Sequence, residues 1–515
     1  MPEAVLKKLN TRILPQWKAC FVASIVVGLL AHFYKITNWL PNWDSLVFRY
    51  DPQNMIGLGR WFLPVVCACS SFYDLPFLNG VIAILFHGLS AVCICKILNV
   101  QKKTTACLIG AVISSFPVVT SVMMYNYVAD GYSISFFLAT LAALFMTQEK
   151  PRYILSAVLI ALSTGIYQAY ITVTIVLVLF TLIDNILYHD EPFLVFIKKI
   201  IGMLLTGVLG VALYFVVLKV LLAAFSITLL DYQGINSTAA LNGIDLAASF
   251  YVVKETFLGY FFNISNGMSF FVVLNGLILI ATILYYVAII INNQIYKSPV
   301  KMIILIILGL MLFIGGTALA FANAGVDYHN LMLMGYVIFY LFFLVLYERE
   351  TGQKSKGTTI KCWTILIMTI LLTANQVVIA NVSYHKAQLA YEKSYGILMQ
   401  IADRIEQTPG TGQCNRVLVL GALDDSEPYS VVLPPDMTGI TDGYILRADD
   451  ETVGQSVLCN ALNDYCGKNY HFLSDEEKKV LVQQDNVKQM NSWPAKDSIA
   501  VIDNIIVIKL GTEGE

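Results

Sequence analysis

Two carboxylates and two guanidinium groups fall within one short stretch, residues 38–62, which reads NWLPNWDSLVFRYDPQNMIGLGRWF. They are Asp44, Asp51, Arg49 and Arg60, with Trp39, Trp43, Trp61 and Tyr50 set among them. A carboxylate serves as general base, nucleophile or metal ligand, and a guanidinium grips phosphate through two parallel hydrogen bonds. Tryptophan and tyrosine favour the boundary between lipid and water. The combination points to chemistry on a phosphate-bearing substrate at a membrane surface. The plainer account is an interfacial loop whose aromatics anchor it and whose charges are solvated.

Each candidate carries both accounts. Asp44 and Asp51 would share a face of a helix, although Pro52 and the turn residues around it oppose a helix there. Two neighbouring carboxylates can divide into an acid and a base, or hold a divalent cation. Asp51, before a proline, equally suits a turn. Arg60 follows Gly57-Leu58-Gly59, small neighbours that leave its guanidinium accessible to a lipid phosphate. For Arg60, and more so for Arg49, the alternative is snorkelling to headgroups. Lys219 lies inside an apolar run, where a lysine costs roughly 2.5–3.5 kcal/mol at a helix centre; it either snorkels outward or meets a phosphate in the outer leaflet. Asp130 begins another run, where the helix dipole favours a carboxylate, or it is a second acid near Asp44. Trp43, Trp61, Tyr167 and Gln168 (with Tyr170) suit a sugar ring or acceptor as aromatics and an amide, and an aromatic belt looks the same. Asp327, His329 and Asn330 form a further polar cluster of that kind. His87, deep in an apolar run, reads as a hydrogen-bonded core histidine.

The elements that must position these residues are membrane spans. The chain is 57% hydrophobic and only 13% charged, against about 25% charged in soluble domains. A net charge of −2 gives no reason to expect nucleic acid, and 6 histidines argue against a His-rich metal site. With about 20 apolar residues per span, about eleven spans are expected. They lie near 19–35, 76–98, 105–123, 131–147, 153–165, 168–187, 200–225, 269–291, 300–322, 330–347 and 360–380. The first is expected to be a retained anchor, not a cleaved signal. The runs 153–165 and 168–187 form either a tight hairpin or one bent helix, and 61–73 is too short to span. Lys102, Lys103, Lys150, Arg152, Lys198, Lys199, Lys297, Lys301 and Arg349 all fall in one set of short loops, while 124–130, 165–167 and 323–329 contain no lysine or arginine. That asymmetry puts the N-terminus in the cytoplasm, and the 38–62 stretch outside. The long loop 226–268 also lies outside and is expected to contain short interfacial helices.

The composition changes after the last span, dividing the chain into 1–380 and an extracytoplasmic 381–515. Residues 384–407 read as an amphipathic helix. RVLVL at 416–420 reads as a strand, Ser474 with Glu477 as a capping box, and 498–510 as two strands about Asp503-Asn504. The expected fold is thus an all-α polytopic membrane protein with a small C-terminal α/β domain. That domain shows no nucleophile motif, phosphate loop or metal spacing, and its expected role is structural or acceptor-binding. Cys459 and Cys466 are either a disulfide or two free thiols.

Asn42-Trp43-Asp44-Ser45, Gly59-Arg60-Trp61, Ala129-Asp130 and Gly165-Ile166-Tyr167-Gln168-Ala169-Tyr170 together resemble the GT-C superfamily of membrane glycosyltransferases. The layout is most similar to the Gtr-type bacterial glucosyltransferases that decorate surface polysaccharide such as O-antigen, over roughly residues 15–350. The resemblance implies a polyprenyl-phosphate-linked sugar as donor, a surface polysaccharide or lipid-linked glycan as acceptor, an active site on the outer face of the cell membrane, and inversion at the sugar carbon. It implies Asp44 as the catalytic acidic residue and Arg60 as a donor-phosphate ligand, and leaves Asp51 and Asp130 competing for a second acidic position and metal dependence open. A flippase for lipid-linked sugars and a polysaccharide polymerase or ligase are the rival readings; a flippase would need polar residues at mid-membrane, where charges here are scarce.

Overall fold

Apolar length and proline punctuation build the membrane part. A computed structural model describes residues 13–41, 43–47, 53–71, 73–189, 191–230, 245–262, 270–322, 325, 328–350, 355–421, 423 and 451–511. Arg49, Asp51 and Asp327 lie outside these residues, as does the side chain of Trp43. Helix α1 (Pro15–Thr37) leads into three short helices, α2 (Trp43–Val47), α3 (Gln53–Gly57) and α4 (Leu63–Cys67). There follow α5 (Pro76–Ile97), α6 (Lys103–Ser115), α7 (Pro117–Met124), α8 (Asn126–Thr147), α9 (Tyr153–Ile166), α10 (Ile171–Tyr188) and α11 (Phe193–Phe225). After these come α12 (Leu246–Phe262), α13 (Phe270–Asn292), α14 (Pro299–Gly315), α15 (Val337–Glu348) and α16 (Lys356–Gln407). Prolines 15, 76, 117 and 299 each open a helix, where a missing N–H costs nothing. Pro117 also breaks what would otherwise be one helix through α6 and α7.

Eight of the described helical stretches are long and apolar enough to cross a membrane. The expected spans 153–165, 300–322 and 330–347 account for the difference from about eleven; they form shorter apolar helices. Shortness is tolerated where protein takes the place of lipid. α9 is packed between α8 and α11, and two 3-10 turns at 330–336 lie in a buried stretch just before α15. Irregular backbone at membrane depth survives only in such surroundings. The interior is the stretch Lys103–Met124, buried along most of its length, while Phe193–Phe225 is largely uncovered by the rest of the protein.

Helices α9 and α10 form a hairpin, not a bent rod. The Arg152 N–H donates to Phe145 O beside the start of α9 (3.0 Å), and Asp184 near the end of α10 pairs with Arg349 (2.7 Å). Arg349 also donates to Leu98 O at the far end of α5, and Lys102 Nζ to the carbonyls of Tyr347, Glu348 and Glu350. These charges therefore gather at the end of the bundle away from α2–α4. The loop expected to hold short helices contains α12, which packs on α13.

The C-terminal part contains β1 (Arg416–Leu420), α17 (Glu451–Cys466), β2 (His471–Phe472), α18 (Asp475–Val482), α19 (Asp485–Lys488), β3 (Ile499–Ile502) and β4 (Ile505–Lys509). The strands make one sheet in the order β2-β1-β4-β3, parallel except for the β3–β4 hairpin. Asp503 and Asn504 both take positive φ, as a two-residue hairpin turn requires. Alternation along β1 sends Val417 and Val419 to α16 and α17, and Leu418 and Leu420 to Leu481 and Val487. The Ser474–Glu477 capping box forms as read. The expected span 360–380 and the expected amphipathic helix 384–407 are one continuous helix of 52 residues, α16, so the 380/381 division falls inside it. No proline interrupts it, and Ser355 caps its start. Cys459 and Cys466 are not joined in a disulfide, and Cys459 Sγ donates to Tyr470 O (3.2 Å).

Candidate active site

The site begins where α3 ends. Gly59 N–H donates to Ile56 O (2.9 Å) and Arg60 N–H to Met55 O (2.8 Å), which is a Schellman closure with Gly59 at φ +75°. Arg60 is thus the first residue beyond a sharp stop. The turn is clamped from outside. Gln168 Nε2 donates to Leu58 O (2.9 Å) and to Tyr214 Oη (3.2 Å), and Tyr214 Oη donates to Gly59 O (3.0 Å). Phe62 N–H reaches Gly165 O at 2.7 Å. Three separate helical regions, the α9–α10 turn, α11 and α3, therefore fix one backbone segment.

The Arg60 side chain leaves this segment into a tyrosine cage. Its Nη1 donates to Tyr132 Oη (3.0 Å), and its guanidinium lies 5.1 Å from the Tyr167 ring centre. Tyr132 and Tyr167 stack at 4.5 Å, and Tyr170 meets both edge-on. Stacked aromatics hold a guanidinium flat and contribute about 0.5–2 kcal/mol. His329 stands edge-on to Tyr125 (5.7 Å), and Tyr125 is within electrostatic reach of Tyr167, so His329 borders the same cluster. Its Nδ1 accepts from Leu331 N–H, and Asn330 donates to Ser121 Oγ (3.0 Å).

Asp44 sits in the first turn of α2. It keeps some exposed surface, yet its carboxyl is enclosed closely enough that burial pushes its pKa up to about 6, against the Arg60 charge, which draws it down. Tyr127 also feels the Asp44 charge. Asp44, Arg60 and the tyrosines thus face one another.

Other sequence candidates are placed differently. Asp130 is fully buried; its Oδ1 accepts from Gly131 N–H (2.8 Å) and lies 3.8 Å from Cys67 Sγ, so it faces α4. Trp61 is buried against Gly165 and stacks on Tyr214 at 6.4 Å, so its ring serves the packing of α9 and α11. Gln168 is spent on the Leu58 carbonyl and Tyr214. Lys219 is exposed on α11, next to Leu218, which packs in the Trp61 cluster. His87 bonds Ser133 Oγ (3.1 Å) in the core, as read. Among the described residues no three His, Cys, Asp or Glu side chains converge as metal donors. Sequence reading missed Tyr132 and Tyr214. Tyr132 lies two positions beyond Asp130, and Tyr214 is one polar hydroxyl in an otherwise apolar run; neither has a local signal stronger than that.

Gly59 offers a direct test of the clamp. A Cβ there would meet Tyr214 Oη at 2.6 Å and Gln168 Nε2 at 2.7 Å. Gly59→Ala is expected to cost about 1–3 kcal/mol of stability from the positive φ alone, read as a fall in Tm. It should also lower transfer about 10-fold or more by displacing Arg60; unchanged transfer would show that the clamp does not position it.

A bundle of apolar helices with a caged guanidinium beside a carboxyl defines the class, a helical membrane protein with a charged, tyrosine-walled site. The family model described as Glucosyl transferase GtrII matches residues 33–346, more than half of the chain and the part that contains this site. The chain belongs to that family and is a membrane glycosyltransferase. No curated protein matches it significantly, nor does any solved structure.

Proposed function

We propose that the protein moves a hexosyl group, glucosyl in type, from a polyprenyl phosphate to a surface polysaccharide or lipid-linked glycan on the outer face of the cell membrane. The observation that carries this reading is the meeting of Asp44 and Arg60 within one tyrosine-walled cluster. The acceptor hydroxyl attacks the anomeric carbon, and Asp44 takes its proton. The bond from that carbon to the phosphate oxygen breaks, and polyprenyl phosphate leaves with its charge stabilised by Arg60. One displacement inverts the configuration. Arg49 and Lys219 are assigned as further donor-phosphate contacts, Asp51 and Asp130 as competitors for a second acidic role, and Trp43 as an acceptor contact. The loop charge pattern supports an outer site, and the clustering of Lys102 and Arg349 at the opposite end of the bundle from α2–α4 supports the same orientation.

The test is reconstitution. Purified protein in lipid is given a polyprenyl-phosphate hexose and an acceptor glycan. The expected product carries one added hexose with inverted anomeric configuration. Movement of the donor between leaflets without a new glycosidic bond would overturn the proposal in favour of a flippase.

A further inference from the structure

Helix α2 is five residues long, far too short to be stable alone, because the first turn of a helix is unfavourable to form. What holds it lies more than 400 positions away in sequence. Leu46 is 3% exposed and belongs to the apolar core shared by the C-terminal sheet, α16 and α17. The carbonyl of Leu46 accepts a hydrogen bond from Asn460 Nδ2 of α17 at 2.7 Å. Beside it, the Trp39 ring lies 5.5 Å from that of Tyr465, also on α17. At the other end of the segment, the buried Lys35 donates to Leu40 O at 2.5 Å. Residues two apart on a helix point to nearly opposite sides. Leu46 held in the C-terminal core therefore directs Asp44 away from it, toward Arg60.

We propose that Asn460 is a positioning residue for glycosyl transfer: its amide, with Leu46 buried beneath it, fixes α2 so that Asp44 faces Arg60. The inference rests on the assignment of Asp44 as base. It gives the C-terminal part a catalytic duty although that part lies beyond the family-matched residues 33–346. The amide is suited to the task. It donates to a backbone carbonyl, so it fixes the main chain of α2 itself.

The experiment uses the full chain in lipid, assayed for hexose transfer. Asn460→Ala is expected to lower kcat about 10- to 100-fold, the scale of a roughly 1 Å misplacement, with the donor KM within about twofold. The decisive variant is the double substitution. If Asn460 acts through Asp44, adding Asn460→Ala to Asp44→Asn lowers the residual rate no further, since coupled residues are not additive. A wild-type kcat for Asn460→Ala overturns the proposal, as does a loss that adds in full to that of Asp44→Asn. Where Asn460→Ala is not recovered folded, Asn460→Asp, of the same shape but without the donor, takes its place with the same expectations. Failure of the base assignment is separately visible, because Asp44→Asn alone would then transfer at a near-normal rate.

Discussion

Asp44→Asn is expected to lower hexose transfer by about 10²- to 10⁴-fold, the usual contribution of a general base. The amide keeps the shape of the carboxyl and cannot accept the acceptor's proton. Donor affinity should change little. Stability should not fall, and the sign follows from the carboxyl itself. Its folded pKa of about 6 lies above the ordinary value of 3.8. The folded state thus holds this proton more tightly than the unfolded chain. The resulting stabilisation is full below pH 4 and is lost as pH rises through 6, so at neutral pH the ionised group costs stability. Loss of transfer with an unchanged or higher Tm would therefore separate a chemical role from a structural one. The same value sets the pH profile of the parent enzyme: kcat/KM should rise through about pH 6 and level off above it. Near-normal turnover in Asp44→Asn, with a loss in Asp130→Asn or Asp51→Asn, would move the base to another carboxylate.

Arg60→Ala is expected to raise the donor KM by about 10- to 150-fold, equivalent to about 1.5–3 kcal/mol for a hydrogen bond to a charged group. Arg60→Lys should recover only part of this, because lysine keeps the charge but neither the planar fork nor the stacking on Tyr167. A second signature distinguishes Arg60 from a purely structural arginine. Its charge draws the Asp44 pKa down, so its removal should push the acid limb of the surviving activity above pH 6. An unmoved limb together with an unchanged donor KM would exclude Arg60 from the site.

The sequence made one half of this arrangement readable. Asp44 and Arg60 share a loop between apolar runs, and their residue types mark it within a few positions. Local chemistry also marked β1, the capping box at Ser474 and the hairpin at Asp503-Asn504, because each depends on residues within a few positions. The other half was hidden because it is tertiary. Tyr132 and Tyr214 matter through where α8 and α11 pack, and an aromatic in an apolar run looks alike whether it faces lipid, core or site. Trp61 shows the converse: its neighbours suggested an interfacial or sugar-binding ring, but the bare Gly165 opposite it admits the indole into the core. Asn460 carried no signal at all, since its partner is a main-chain carbonyl more than 400 residues earlier. The division at 380/381 was read from a change of polarity, and α16 passes through that change without a break.

That unbroken helix has a mechanical consequence. Its 52 residues measure about 78 Å at 1.5 Å per residue, whereas the bilayer core takes up only about 30 Å. It is a lever whose fulcrum lies in the membrane. With the fulcrum at the middle of the 360–380 span, the arm to Gln407 is about 55 Å long, and a tilt of about 5° displaces that end by about 5 Å, more than the 2.7 Å bond between Asn460 and Leu46 could follow. The lever is pinned instead: α16 packs on α1, and Asn381 donates across to Leu30 O at 3.1 Å. Since α1 runs directly into the stretch that carries Asp44, that stretch and its support on α17 ride on the same pair of helices. Tilting of that pair as the bilayer thickens or thins carries Asp44 and its distant support together.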